Sequence, residues 1–350
     1  MAIKKLLIDD FLKLGETLPV FDVRSTGEFT HAQIPGAVNL PLFSDEERKV
    51  VGTLYKREGK QRAIKEGLDF FGPKMRAMVE TVEATIRNLR NNSKENAVLV
   101  HCWRGGMRSG AVAWLLDLYG FEVNILVGGY KAYRKSMLRA FEQEYDITLV
   151  GGYTGSGKTA ILHELQLKDV PAIDLEGLAS HKGSAFGGIG LSPQPTQEMF
   201  ENMLATELLK LQHVHFFMED ESQRIGVLHL PHTFWRTMRT KKISFIDLPF
   251  EERLKNIVRE YGQCDKEKLK ISIERIKKRL GPLETKTALA QLEENRFDEC
   301  FAGLLRYYDK VYMKALFNRE NVDSLLNKIS CSDVDTVCNT EKILQCSSTR

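Results

Sequence analysis

The chain lacks any uncharged apolar run near the roughly 18 residues that a bilayer-spanning helix needs, so no membrane span is expected. Its first residues, MAIKKLLIDDFLKL, place Asp9 and Asp10 after a short apolar stretch and offer no small-residue cleavage site, which argues against a signal peptide. Proline is scarce, with 10 in 350 residues, and 43% of the residues are hydrophobic against 28% charged, a balance that excludes wholesale disorder. The length excludes a disulfide-stapled miniprotein, and the 6 cysteines, with no C-x-x-C pair and no even ladder of spacings, are read as lying in a reducing cytoplasmic setting where a thiol stays reactive. Charge of one sign is missing too. The 50 Lys plus Arg against 47 Asp plus Glu leave a net of +3, so any nucleic-acid surface must be a local patch. No repeat of fixed period appears.

What is present is chain enough for two domains at roughly 150 residues each. Strand-like runs at 20–23, 37–40, 97–101 and 123–127 alternate with helical segments, the pattern of an α/β fold with a parallel sheet. A charged stretch at 45–94 carries Met75, Met78, Val79, Val82, Ile86 and Leu89 at helical spacing and reads as a helical insertion. A boundary is expected near residue 140, giving a first domain over 1–140. A second α/β domain over 141–329 follows, with strands at 147–150, 170–173, 214–218 and 243–247 and helices from 254 to about 317. The glycine- and proline-rich run GSAFGGIGLSPQP at 183–195 is expected to be a loop, and its composition suits a lid. The polar residues 330–350 show no period and predict a weakly ordered tail.

Two segments carry chemistry. In VLVHCWRGGMRS an apolar strand ends at Cys102 and a turn through Arg104, Gly105, Gly106, Arg108 and Ser109 leads into a helical run. Loop amides and a helix N-terminus aimed at a strand-end cysteine stabilise thiolate and bind oxyanions. Such a loop can hold a phosphate or a chalcogen adduct on sulfur. A buried structural cysteine is the plain alternative, against which the two glycines and two arginines count. Strand alternation points His101 away from Cys102, so His101 is read as structural.

The second segment is GYTGSGKT at 152–159, set between an apolar strand and a helical run as the phosphate-binding P-loop requires. Amides of Gly152, Gly155, Ser156, Gly157 and Lys158 would cradle phosphate oxygens, Lys158 would neutralise them, and Thr159 could hold Mg²⁺. Glu219, Asp220 and Glu221 end a later strand and are candidate acidic partners, with no sign of which faces the site. A nucleoside triphosphate such as ATP is the default ligand, and a diphosphate ester the alternative. Further on, 266–279 holds seven basic and two acidic residues, and Lys266, Lys268, Lys270, Lys277, Lys278 and Arg279 offer either a polyanion surface or an ordinary solvated helix face. His213, His215, His229 and His232 lack companions at zinc spacing, and Cys331, Cys338 and Cys346 fit no common metal site.

The cysteine loop alone matches the tyrosine-phosphatase signature, but its surroundings differ. FDVRSTGEFTHAQIPGAVNLPL upstream and ILVGGYKAYR downstream resemble the rhodanese domain, in which Asp22, Arg24 and Glu28 fix loops and salt bridges. The loop is one residue longer than in sulfur-carrying rhodaneses, which suggests a donor bearing both phosphate and a chalcogen. A rhodanese-like segment followed by a P-loop resembles the tRNA 2-selenouridine synthases, as do ERKVVGTLYKREGKQRAI, HKGSAFGG, MEDESQRIG and KKRLGPLETKTALAQL, from residue 19 to about 317. The resemblance implies a cytoplasmic transferase that converts wobble 2-thiouridine of tRNA to 2-selenouridine. Geranyl diphosphate first alkylates the sulfur, and selenophosphate then supplies selenium. Cys102 would carry a perselenide while Arg104, Arg108 and the loop amides hold phosphate. The P-loop would take the prenyl donor's diphosphate. Sulfur transfer to tRNA, a nucleotide-regulated cysteine phosphatase, and a non-catalytic RNA-binding adaptor stay open as alternatives.

Overall fold

In a computed structural model, described for residues 3–89 and 96–348, the chain divides into two compact units, Met1–Ala140 and Phe141–Arg350. Each is built on its own five-stranded parallel sheet.

The first sheet runs in the order Lys4–Leu6, Glu122–Leu126, Ala97–His101, Val20–Asp22, Val38–Asn39. Ala97–His101 lies third of five and is almost wholly buried, as an apolar run covered by helices on both faces must be. Its C-terminal end therefore opens onto the sheet edge where α/β folds place their ligand loops. The edge strand Lys4–Leu6 left no sequence signal, because its two lysines are exposed and only backbone pairing holds it. The insertion folds as helices Asp45–Arg57, Lys60–Phe71 and Met75–Leu89, and its last residues, 90–94, lie outside the described region. Ser44 and Glu47 close a capping box at its start. Phe71, Met78, Val79, Val82 and Ile86 bury the insertion in the unit's core, so it is part of the domain body rather than an appendage.

The second sheet runs Leu326–Ser330, Lys242–Asp247, Ile147–Gly152, Phe216–Glu219, Ala172–Ile173. Here the central strand, Ile147–Gly152, is buried at every position and delivers the glycine-rich turn to the sheet edge. Helices Phe250–Tyr261, Lys266–Leu280, Pro282–Glu293 and Phe297–Phe317 form a second core around Leu254, Ile257, Leu269, Ile273, Leu304 and Leu305. On Lys266–Leu280 the basic face is partly spent: Lys270 pairs with Glu267 and Glu293. Lys268, Lys278 and Arg279 instead line the cleft described below.

Two expectations are corrected. The tail is not weakly ordered over its described length, since Thr336–Ser348 is a helix packed against helix Lys158–Leu167, and Ile343 is fully buried. It escaped a periodicity reading because Asn339 and Thr340 are buried beside Ile343, leaving too few apolar residues to mark a face. The loop at 183–195 is not built as a free lid either. Phe186 sits in the helical core, the Ala185 amide donates to Tyr308 Oη at 3.2 Å, and Gln194 Nε2 donates to the carbonyls of Ala179 and Ile225 at 3.0 and 3.1 Å.

Candidate functional sites: two anion-binding loops

Cys102 leaves its strand directly into a turn that closes on helix Met107–Tyr119. The turn is pinned from the side by segment 128–131: the Tyr130 amide donates to the Cys102 carbonyl at 2.8 Å and the Lys131 amide to the Trp103 carbonyl at 3.0 Å. Gly105 (φ +63°) leaves no room for a side chain, since a Cβ there would lie 2.3 Å from the Leu126 carbonyl oxygen. Inside the turn, Cys102 Sγ lies 3.3 Å from Ser109 Oγ. Burial alone would raise the thiol's pKa, but the Ser109 hydroxyl and the amides of Ser109, Arg104 and Gly106 outweigh it and hold the pKa below the ordinary thiol value. Neutral donors thus favour the thiolate form of this sulfur against its burial.

The arginines divide. Arg108 forms a two-point pair with Glu28, at 2.7 and 3.4 Å, and Glu28 also pairs with Arg48 at 2.8 Å. Burial works to raise the Glu28 pKa, yet Arg108, Arg48 and the Ser25 amide together bring it below the usual carboxylate range. Arg108 therefore braces the loop and is committed before any ligand arrives. Arg104 is exposed and makes no ion pair among the described residues, which leaves it as the uncommitted cation of this turn. His101 is buried between Phe11 and Tyr130, with its pKa pushed down to about 4 chiefly by burial, so it stays neutral and structural. Asp22 and Arg24 pair in the interior, and Arg24 also donates to the Ala32 carbonyl at 2.7 Å.

The glycine-rich loop at 152–159 is braced from helix Phe250–Tyr261. Asn256 Nδ2 donates to the Gly155 carbonyl at 3.1 Å, and Arg253, held by Asp309 at 2.8 Å, donates to the Thr154 carbonyl at 3.2 Å. No motif pointed to Arg253, Asn256 or Asp309. Lys158 Nζ folds back onto the Gly152 carbonyl at 3.1 Å, and Ser156 Oγ is buried without a partner, as expected of groups arranged around an anion.

The three candidate acids have three different surroundings. Glu219 is fully buried and accepts from the Leu175 amide at 2.8 Å; burial drives its pKa well up, so it is a structural, neutral group. Asp220 accepts from the Tyr312 hydroxyl at 2.9 Å and pairs with Arg319. Glu221 faces the loop, next to Glu176, which sequence reading missed. Burial, the Glu176 charge and only partial relief from Lys158 push the Glu221 pKa up to about 8. Glu176 is raised as well, chiefly by burial, while Lys158 and a 2.9 Å hydrogen bond from Thr159 Oγ1 oppose the shift. Both carboxyls are thus raised above the ordinary carboxylate value beside the loop lysine. The one available signal for Glu176 was the run Asp174-Leu-Glu176 just after a strand, and the Asp174 side chain caps the short helix that presents it.

Among the described residues no group of three or more His, Cys, Asp or Glu could hold a metal alone. Thr159 with Glu176 or Glu221 fits Mg²⁺ arriving with phosphate oxygens, since Mg²⁺ usually takes only one or two carboxylates. His215 bonds Thr148 at 2.9 Å, and Cys331, Cys338 and Cys346 are free thiols. The loop opens into a cleft of about 2070 Å³ within the second unit, lined among others by Glu221, Trp235, Arg239, Tyr308 and Arg319.

Comparison with known proteins places both units. Residues 7–136 match the rhodanese-like domain and residues 145–342 match the tRNA 2-selenouridine synthase AAA domain. A tRNA 2-selenouridine synthase of Nitrosomonas europaea is 36% identical over 323 residues, 87% of this chain and 79% of its own. Those of Hydrogenovibrio crunogenus and Shewanella denitrificans are each 35% identical, covering 87% and 84% of this chain and 91% and 87% of theirs.

Proposed function

Because the chain belongs to the family of tRNA 2-selenouridine synthases, we propose that it replaces the sulfur of wobble 2-thiouridine in tRNA by selenium in two steps served by its two loops. The supporting observation is their opposite equipment. One presents a thiol of lowered pKa among neutral donors, and the other a lysine beside two carboxyls of raised pKa.

In the first step the thiouridine sulfur attacks C1 of geranyl diphosphate, the C–O bond breaks, and the diphosphate leaves with the electron pair. The amides of Gly155, Ser156, Gly157 and Lys158 and the Lys158 ammonium stabilise the charge that develops on it, which is where preorganised donors lower a barrier. Mg²⁺ held by Thr159 with Glu176 or Glu221 would supply further charge neutralisation. Alkylation makes the sulfur a thiol leaving group.

In the second step the Cys102 thiolate attacks the selenium of selenophosphate and the P–Se bond breaks. Its electron pair leaves with phosphorus, as phosphite, and Cys102 holds a perselenide. Arg104 and the loop amides bind the phosphoryl oxygens, and Arg108 keeps the loop in shape from its pair with Glu28. The terminal selenium attacks C2 of the base and expels geranylthiolate. Two equivalents of an external thiol then reduce the S–Se bond, restoring the Cys102 thiol and leaving selenouridine, while the two thiols leave joined as a disulfide.

Nucleoside mass analysis tests this reading, with thiouridine tRNA, protein, geranyl diphosphate and selenophosphate, each donor omitted in turn. S-geranyl product without selenophosphate, and selenouridine only with both donors and a thiol, are expected. Unchanged thiouridine in every reaction would overturn the function. Selenouridine formed without thiol, with phosphate released in place of phosphite, would overturn the perselenide route. Vanadate-sensitive release of phosphate from aryl phosphates would favour a phosphatase.

A further inference from the structure

The cleft of the second unit holds anion-binding groups that neither proposed step uses. The Arg319 side chain is only 5% exposed and pairs through Nη2 with Asp220, whose side chain is 2% exposed. Its Nε and Nη1 are buried with no hydrogen-bond partner. Unmet buried donors of this kind cost free energy, more when charged, so an occupant is expected. Arg239 lies alongside: its Nη2 donates at 2.8 Å to the carbonyl of Asn318, the residue before Arg319, and its guanidinium stacks 5.0 Å from the ring centre of Trp235. Trp235, Arg239 and Arg319 all line the cleft that the P-loop opens into.

The charge balance narrows the ligand. Asp220 neutralises one of the two guanidiniums, and its other oxygen is taken by the Tyr312 hydroxyl, so one positive charge is left over. A phosphodiester carries one negative charge. An indole beside that charge suits an unpaired base, because single-stranded RNA is held by stacking on aromatic and guanidinium planes together with backbone contacts. Tyr312 also accepts from the Gly152 amide at 3.3 Å, which ties these groups to the start of the P-loop.

We propose that Arg239 and Arg319 form a second anion subsite that takes a phosphodiester of the acceptor RNA, with Trp235 stacking on an adjacent unpaired base. This rests on the tRNA acceptor of the preceding reading. It is tested on the full chain by fluorescence anisotropy with a thiouridine anticodon stem–loop over a range of salt, beside competition by inorganic diphosphate for the P-loop. Arg239→Gln should weaken RNA binding about tenfold and reduce the slope of log K against log salt by about 0.7, the value for one single-strand phosphate contact. Trp235→Ala should weaken binding with the slope kept, and diphosphate binding should be unchanged in both. Because Arg319→Ala strands Asp220 and could unfold the unit, Arg319→Lys serves beside it, with a thermal melt as control. It should bind RNA more weakly through loss of the planar fork. Unaltered RNA affinity and salt slope in Arg239→Gln would overturn the subsite, as would loss of diphosphate binding in its place. Wild-type protein that binds the stem–loop with the expected variant effects yet makes no selenouridine would sink the preceding reading and leave the subsite standing.

Discussion

The two glycine-rich loops share one position, the end of a central parallel strand, and make opposite use of charge. At Cys102 the nearer fixed charge is paired off, Arg108 with Glu28, which also holds Arg48, while Arg104 stays exposed and the sulfur is tuned by a serine hydroxyl and three amides. At the P-loop the lysine hydrogen-bonds only a carbonyl among the described residues, and burial raises the two nearby carboxyls. A nucleophile needs a thiolate that is stabilised but still reactive, and strong cation contacts would blunt it. A leaving-group site has no such restraint, since the charge it meets is departing.

That contrast breaks most sharply under deletion of each loop's central group. Cys102→Ala is expected to lower selenation by about a thousandfold or more while geranylation stays within about twofold, and Lys158→Ala to lower geranylation by roughly 10²–10³, the scale of losing one preorganised donor to developing charge. Single-turnover nucleoside analysis reads both, and equal loss of both steps in either variant would mean that the loops are one site. Next in size is a packing effect peculiar to the cysteine loop. Gly105→Ala drives a methyl into the Leu126 carbonyl at positive φ, whereas Gly106→Ala meets nothing within 4 Å. Thermal denaturation should show about 2–4 kcal/mol lost for the first and little for the second.

The sequence displayed what repeats along the chain or sits in a motif and hid what depends on partners brought from afar. Strand, turn, lysine and helix are contiguous at 147–167, so the P-loop was readable. Its braces are not. Arg253 and Asn256 come from about a hundred residues away and look like any helix-surface residues until the fold turns them onto the Thr154 and Gly155 carbonyls. Arg104 and Arg108 were equivalent on paper because charge in a sequence carries no partner, and only the fold supplies Glu28 from 80 residues upstream. Glu219, Asp220 and Glu221 differ for the same reason: strand Phe216–Glu219 ends one residue later than the apolar run 214–218 suggested, which buries Glu219 and turns Glu221 toward Lys158.

A smaller effect concerns the proton at the P-loop. With Glu221 at about 8, the carboxyl pair must lose its proton before it can hold a divalent cation, so Mg²⁺ affinity should rise about tenfold per pH unit up to about pH 8 and then level off. In Glu221→Gln the slope should flatten and the affinity at pH 8 should fall. Calorimetric titration of Mg²⁺ in the presence of inorganic diphosphate reads both, and an unchanged slope would remove Glu221 from the site.

The smallest expected effects decide whether fixed charge or neutral donors tune Cys102. If the Ser109 hydroxyl and the amides set the thiol, Ser109→Ala raises its pKa and slows alkylation by iodoacetamide at pH 7 several-fold. Glu28→Gln, which leaves Arg108 without its carboxylate, should barely move the alkylation profile but alter stability instead. The folded Glu28 pKa lies below its ordinary 4.5, so the ion pair stabilises the fold above that value and the contribution is lost as pH falls through the lower, folded one. Wild type should therefore lose stability more steeply than Glu28→Gln on the acid side of pH 4.5, and match its slope near neutrality. A thiol profile that moves with Glu28 and not with Ser109 would reverse the comparison, making the cysteine loop a charge-tuned site like its neighbour in the chain.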